Sequence, residues 1–120
     1  MDGELSADDL AAVLDDDALR IVDIRTPPAF ARGHIPGSEN IPFQELPQRV
    51  DQLAGADRVV TVCPHGKSSK QAARLIASYE GVSADTQVES LGCGIDGWPG
   101  DLEQSSDTAA DEGPETDAPF

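Results

Sequence analysis

Apolar positions in this chain come in short blocks, some at helical spacing and some continuous, each bounded by glycine, proline or small polar residues. In SADDLAAVL (6–14) Ser6 stands as a cap with Asp9 three residues on, and Leu10, Val13 and Leu14 share one face, which predicts a short amphipathic helix. ALRIVDIR (18–25) is rich in β-branched residues and too short for a helix; ending at polar Asp23 and Arg25, it reads as a buried strand. TPPAFARGHIPGSENIP (26–42) is a series of stops, with room only for a turn of helix around 28–32 and a very short strand near 39–41. Beyond it, Phe43, Leu46, Val50 and Leu53 repeat at helical spacing, with Pro47 near the start of the regular part. DRVVTV (57–62) is the second clear strand. Ser68 or Ser69 then caps a helix whose Ala72, Leu75, Ile76 and Tyr79 share a face and which Gly81 stops. TQVESL (86–91) reads as another strand, followed by GCGIDGWPG.

Strands alternating with helices predict an α/β domain, with a parallel sheet covered on both faces and a ligand-binding edge at the carboxyl ends of its strands. A chain of 120 residues can bury one core but not two, so a single domain over residues 1–100 is expected. Residues 101–120 lack apolar periodicity and are too acidic to pack, which predicts a disordered tail. No internal repeat is visible.

Composition narrows the function. No apolar run approaches the roughly 18 residues that span a bilayer, and MDGELSADDL is acidic where a secretory signal would be basic and then apolar, so a cytoplasmic protein without a membrane partner is expected. Two cysteines, Cys63 and Cys93, are too few for a disulfide scaffold. With 23 acidic against 8 basic residues the net charge is −15, which argues against nucleic acid as a partner. The tail holds seven acids and no bases, so the body alone is still at −8. Such self-repulsion is relieved where salt is concentrated and screening acts within about 3 Å, which suggests a salt-adapted cytoplasm.

The chemistry concentrates at TVCPHGKSS (61–69), where Cys63 leaves a strand and enters a glycine-containing turn that opens a helix. A thiol is a poor nucleophile until it ionises, and a helix start offers unpaired amides and the positive end of the dipole to a sulfur anion. Gly66 allows φ > 0 and Ser68 and Ser69 add hydroxyl donors, so the loop can curl into an anion cradle. Lys67, Lys70 and Arg74 put three of the eight bases beside it, where they oppose the helix dipole and fit an anionic ligand better. The competing reading is a buried structural cysteine at a strand end. His65 is either a general base or an exposed loop histidine. Cys63 and His65 are only two ligands, which predicts neither a metal site nor any other cofactor.

Three stretches together resemble the single-domain rhodanese family: DIRTPPAFARGHIPGSENIP (23–42), CPHGKSSKQAARL (63–75) and LGCGIDGW (91–98). They look like that family's Asp-x-Arg strand end with its Gly-His-Ile-Pro-Gly element, its active-site loop and its closing Gly-Gly-x-x-x-Trp element. The resemblance implies a rhodanese-like fold, a five-stranded parallel sheet flanked by helices on both faces. It implies a sulfurtransferase in which Cys63 accepts sulfane sulfur from a donor such as thiosulfate and passes the persulfide sulfur to cyanide or a thiol. Pro64, His65, Gly66, Lys67, Ser68 and Ser69 would form the substrate loop, with Lys67 meeting the donor's sulfonate, and Asp23, Arg25 and His34 would hold neighbouring loops. A carrier fed by a protein donor, such as a cysteine desulfurase, stays open. A cysteine phosphatase or arsenate reductase fits less well, because those relatives have a longer loop ending in arginine and Cys+6 here is Ser69. The chain departs from the family at Ala29, where an acid is common, and at Cys93, where the first glycine of the closing pair is usual. Cys93 is either a resolving thiol or a small residue in place of glycine, and Trp98 is expected to be packing.

Overall fold

The computed structural model describes residues 2–79, 81–82, 86–100 and 102–104. Five parallel strands form one sheet in the order β1-β5-β4-β2-β3, with β1 Asp2–Leu5, β2 Leu19–Asp23, β3 Glu39–Asn40, β4 Arg58–Val62 and β5 Gln87–Leu91. The helices are α1 Ala7–Val13, α2 Pro27–Arg32, α3 Leu46–Arg49 and α4 Ser68–Ser78, with 3-10 turns at Phe43–Glu45, Val50–Leu53 and Ile95–Gly97. Two cores result, one on each face of the sheet. Val22, Val59 and Val88 point toward Leu46, Val50, Leu53, Ala72, Ala73 and Ile76. Ile21, Val60, Val62 and Leu91 point the other way, toward Leu10, Ile35, Ile95 and Trp98. This alternation along each strand is the period of two that a doubly covered sheet imposes. The α/β class and the five-stranded sheet agree with expectation, and Trp98 packs in the core as read.

Four local readings need correction. Strand β1 was not anticipated: DGEL has no β-branched residue and includes Gly3, so pairing in register with Val88–Leu91 makes it a strand, not its own propensity. The helix at 43–53 is broken into a 3-10 turn, four α-helical residues and a second 3-10 turn. Pro47 has no amide to donate back toward Phe43, so the preceding turn closes at shorter range, Glu45 N–H to Pro42 O at 2.8 Å. Leu46, Val50 and Leu53 are nevertheless buried, as their spacing requires. Helix α4 ends at Ser78, three residues before Gly81, and Tyr79 turns out of the helical region with 36% of its surface exposed instead of sharing the buried face. The fourth correction, the cap of α4, belongs to the site below.

Ser6 does cap α1, its hydroxyl accepting the Asp9 amide at 3.1 Å. In the stretch read as a disordered tail, residues 102–104 are held: Glu103 and His34 exchange backbone hydrogen bonds of 2.9 and 2.8 Å, and the Gln104 side-chain amide donates to Arg32 O at 3.2 Å. Residues 101 and 105–120 of that reading lie outside the described residues. Among the described residues no helix is long and apolar enough to cross a membrane.

The end of β2 is tied by a buried ion pair. The Asp23 carboxylate, 1% exposed, accepts the Arg25 amide at 3.0 Å and the Arg25 guanidinium at 2.7–3.1 Å, and Arg25 Nη2 also donates to Gly33 O at 2.6 Å. Asn40 donates to the carbonyls of Asp23 and Arg25, at 3.0 and 2.9 Å. Removing one member of such a pair strands the other, so Asp23→Ala is expected to cost about 3 kcal/mol in a urea unfolding curve. A loss below about 0.5 kcal/mol would show that solvent already satisfies Arg25.

Candidate active site

Strand β4 carries Val59, Thr61 and then Cys63 toward the α4 face, and the chain turns immediately after Cys63 into α4. The sulfur is therefore buried, with Cys63 only 2% exposed. Three groups converge on it: the Gly66 amide at 3.0 Å, the Ser69 amide at 3.3 Å and the Ser69 hydroxyl at 3.3 Å. Neither Ser68 nor Ser69 caps α4, contrary to expectation. The N-cap position is Lys67, which makes no capping hydrogen bond through its side chain. The amide that a capping oxygen would accept, that of Ser69, points at the Cys63 sulfur instead, so the sulfur takes the place of the cap.

Electrostatics follow from this geometry. Burial pushes the Cys63 thiol up, while the Ser69 hydroxyl and the amides of Ser69, His65 and Gly66 pull it down, and the sum leaves it below its ordinary value. The Ser69 hydroxyl is itself 2.6 Å from the buried Ser90 hydroxyl, and either oxygen can be the donor. With a neutral thiol the protons can run from sulfur to Ser69 to Ser90; with a thiolate the order reverses, and no heavy atom has to move. Thr61 fixes the Ser69 carbonyl through a 2.6 Å hydrogen bond. Thr61 and Ser90 were missed by the sequence reading. Their signal was present, as hydroxyl residues at alternate strand positions, in register with the buried Val59 and Val88 that face α4.

The loop is braced from above by residues 92–96. Gly66 has φ +83°, and a Cβ there would lie 2.2 Å from Gly92 O; Gly94 has φ +68°, and a Cβ there would lie 2.3 Å from Pro64 O. Two further amides close the contact, Ile95 N–H to Cys63 O at 2.8 Å and Asp96 N–H to Pro64 O at 3.1 Å. The conformational demand thus falls on Gly94, while the exposed Cys93 stands at a position that accepts a side chain. Cys93 lines a separate cavity of about 420 Å³ with Glu4, Ser6 and Pro99, away from the sulfur cradle.

The other predicted residues divide into those at the loop mouth and those behind it. Pro64, His65, Lys67 and Ser68 are exposed, and Lys67 has no ion pair among the described residues. His65 pairs with Asp96 across 3.3 Å rather than with the sulfur. Lys70 reaches Glu4 at 2.8 Å, so this expected ligand-facing cation is engaged elsewhere on the body. Asp23 and Arg25 tie the neighbouring loop, and His34 is buried in it, stacked on Phe30 with centroids 3.9 Å apart and its Nδ1 2.8 Å from Phe30 O. No group of three or more His, Cys, Asp or Glu among the described residues is placed to hold a metal ion. What the arrangement can do is hold one sulfur anion and leave the amides of Lys67 and Ser68 without an intramolecular acceptor among the described residues.

Known proteins resemble this chain in sequence and in fold. A family model described as a Rhodanese-like domain matches residues 6–101. The chain is 40% identical over 90 residues to the thiosulfate sulfurtransferase GlpE of Stutzerimonas stutzeri, covering 69% of this chain and 76% of that protein. It is 34% identical over 61 residues to YrkF of Bacillus subtilis, named as a proposed sulfur carrier, covering 51% of this chain and 33% of that one. Among solved structures, a rhodanese-like domain protein from Staphylococcus aureus superposes with a TM-score of 0.72 at 25% identity, covering 88% of this chain and all of that one. With the match running from the Ser6 cap to just past Gly100, and with the same sheet beneath it, the chain belongs to the rhodanese-like domain family.

Proposed function

We propose that this protein is a sulfurtransferase that carries sulfane sulfur on Cys63. The observation that carries the reading is the Cys63 sulfur at a helix start, with three N–H and O–H groups within 3.3 Å of it and a thiol held below its ordinary value. Kinship to a thiosulfate sulfurtransferase supports the same chemistry. The Cys63 thiolate attacks the outer sulfur of thiosulfate, the S–S bond breaks, and sulfite leaves with the electron pair. The persulfide's outer sulfur then faces the free amides of Lys67 and Ser68, and the Lys67 ammonium meets the sulfonate of the incoming donor. Cyanide or a thiol next takes the outer sulfur and returns Cys63 to thiolate. Pro64, His65 and Gly66 shape the loop; Asp23, Arg25 and His34 hold the segment beside it. His65 lies against Asp96 and not against the Cys63 sulfur, so it is not placed to take the thiol's proton.

The similarity to YrkF favours a second reading, in which a protein donor loads Cys63 and thiosulfate is a slow substitute. Phosphoryl transfer is disfavoured because the loop from Cys63 to Ser69 holds no guanidinium for the equatorial oxygens.

Three outcomes are expected. Incubation with thiosulfate should add the mass of one sulfur atom, which cyanide removes and Cys63→Ser abolishes; folded protein that gains nothing would refute thiosulfate as donor. In a Cys93→Ser background, iodoacetamide should alkylate Cys63 with a rate that rises with pH and levels off below the usual thiol range. Ser69→Ala should move that midpoint up, because the hydroxyl is one of the groups that pull the thiol down. An unmoved midpoint would exclude the hydroxyl as a support of the anion. Lastly, with the body at −8, refolding yield and turnover should rise from dilute buffer to molar salt, and indifference to salt would sink the salt-adapted reading.

A further inference from the structure

A second cavity, of about 230 Å³, adjoins the sulfur loop. One wall is Ile95 and Asp96, the two residues whose amides hold the carbonyls of Cys63 and Pro64; the other is Arg25, Ala29 and Arg32, and Leu102 closes one side. Its charge is unusual for this chain. Two of the chain's eight basic residues line it, against one acid among the described lining residues, Asp96, which lies 3.3 Å from His65. Nε and Nη2 of Arg25 are engaged by Asp23 and Gly33, but Nη1 takes no hydrogen bond among the described residues, although the side chain is only 11% exposed. The exposed Arg32 guanidinium has no ion pair among the described residues. A largely buried guanidinium with an open donor, lining the same cavity as a second guanidinium, offers charge-assisted donors to a carboxylate.

We infer that this cavity is a carboxylate subsite formed by Arg25 and Arg32, and that it favours sulfur acceptors whose thiol is borne on a carboxylated arm. The inference rests on the sulfurtransferase reading. The acceptor's thiolate attacks the outer sulfur of the Cys63 persulfide; the S–S bond breaks, its electron pair returns to Cys63, and the acceptor departs as a persulfide. No further oxidant or reductant is needed. The small Ala29 keeps the cavity open, and a longer acid at that position would fill it with a carboxylate of its own.

The probes are glutathione and its diethyl ester, in which both carboxylates are masked, used to discharge protein loaded with thiosulfate at the lowest salt that keeps it folded. Glutathione is expected to react about tenfold faster, the order of one charge-assisted contact at a partly open site. Arg32→Ala and Ala29→Glu should each bring the two thiols to near parity while leaving discharge by cyanide unchanged. Equal rates in the unmodified protein, or a preference that survives both substitutions, would overturn the inference while leaving the sulfurtransferase reading intact. S-methylglutathione, which cannot accept sulfur, gives a readout that does not depend on turnover. In an NMR titration it should shift the resonances of residues 25–33 and 95–96, and Arg32→Ala should abolish the shifts. If the protein takes no sulfur from thiosulfate, the thiosulfate reading fails and this titration alone decides the subsite: binding lost in Arg32→Ala upholds it, and no binding overturns it.

Discussion

One interaction organises the functional end of this molecule: the Cys63 sulfur accepts the hydrogen bonds that the start of α4 would otherwise leave unmade. A helix begins with amides that have no partner within the helix, and most helices satisfy one of them with a side-chain oxygen at the N-cap. Here Lys67 occupies that position without capping, and the amides of Gly66 and Ser69 turn to sulfur at 3.0 and 3.3 Å. Helix initiation and thiol acidity are therefore one interaction seen from two sides. The same donors that let α4 begin also lower the energy of the anion.

That interaction survives only because the loop is clamped. Gly66 and Gly94 both adopt positive φ, and each presses its missing Cβ against the other segment's backbone at 2.2–2.3 Å. Two backbone hydrogen bonds, from Ile95 and Asp96, finish the joint. Next to it, Asp23 and Arg25 fix the end of β2 and the carbonyl of Gly33, which holds the neighbouring loop in place. Polar residues inside the strands, Thr61 and Ser90, hold Ser69 from beneath.

Much of this was legible in the sequence where local chemistry decides structure. DRVVTV leaves little choice but a buried strand, and a cysteine between such a strand and a glycine-containing helix start already implies an anion site. What was not legible depended on tertiary partners. DGEL is a strand only because β5 offers it an edge, and FQELPQRVDQL holds its burial pattern while Pro47 breaks its hydrogen-bond ladder. Ser69 looked like a cap because serine at a helix start usually is one; the nearby sulfur competes for its amide and its hydroxyl and wins both. Lys70 looked free for a ligand because nothing in the local sequence reveals that Glu4, far along the chain, is its neighbour. The closing glycines were noticed by resemblance, but that Gly94 and not position 93 carries the steric demand follows only from the geometry.

The clamp also has a temporal meaning. Residues 92–96 lie near the end of the folded body, about thirty positions after the cysteine they hold in place. A chain emerging from the ribosome in N-to-C order completes β4 and the cysteine loop before the segment that locks them exists. The β1–β5 edge waits for the same stretch, since Asp2–Leu5 pair with Val88–Leu91. Until then the loop lacks the two amides that hold the carbonyls of Cys63 and Pro64. The cradle's outer brace is thus the last part of the site to be made.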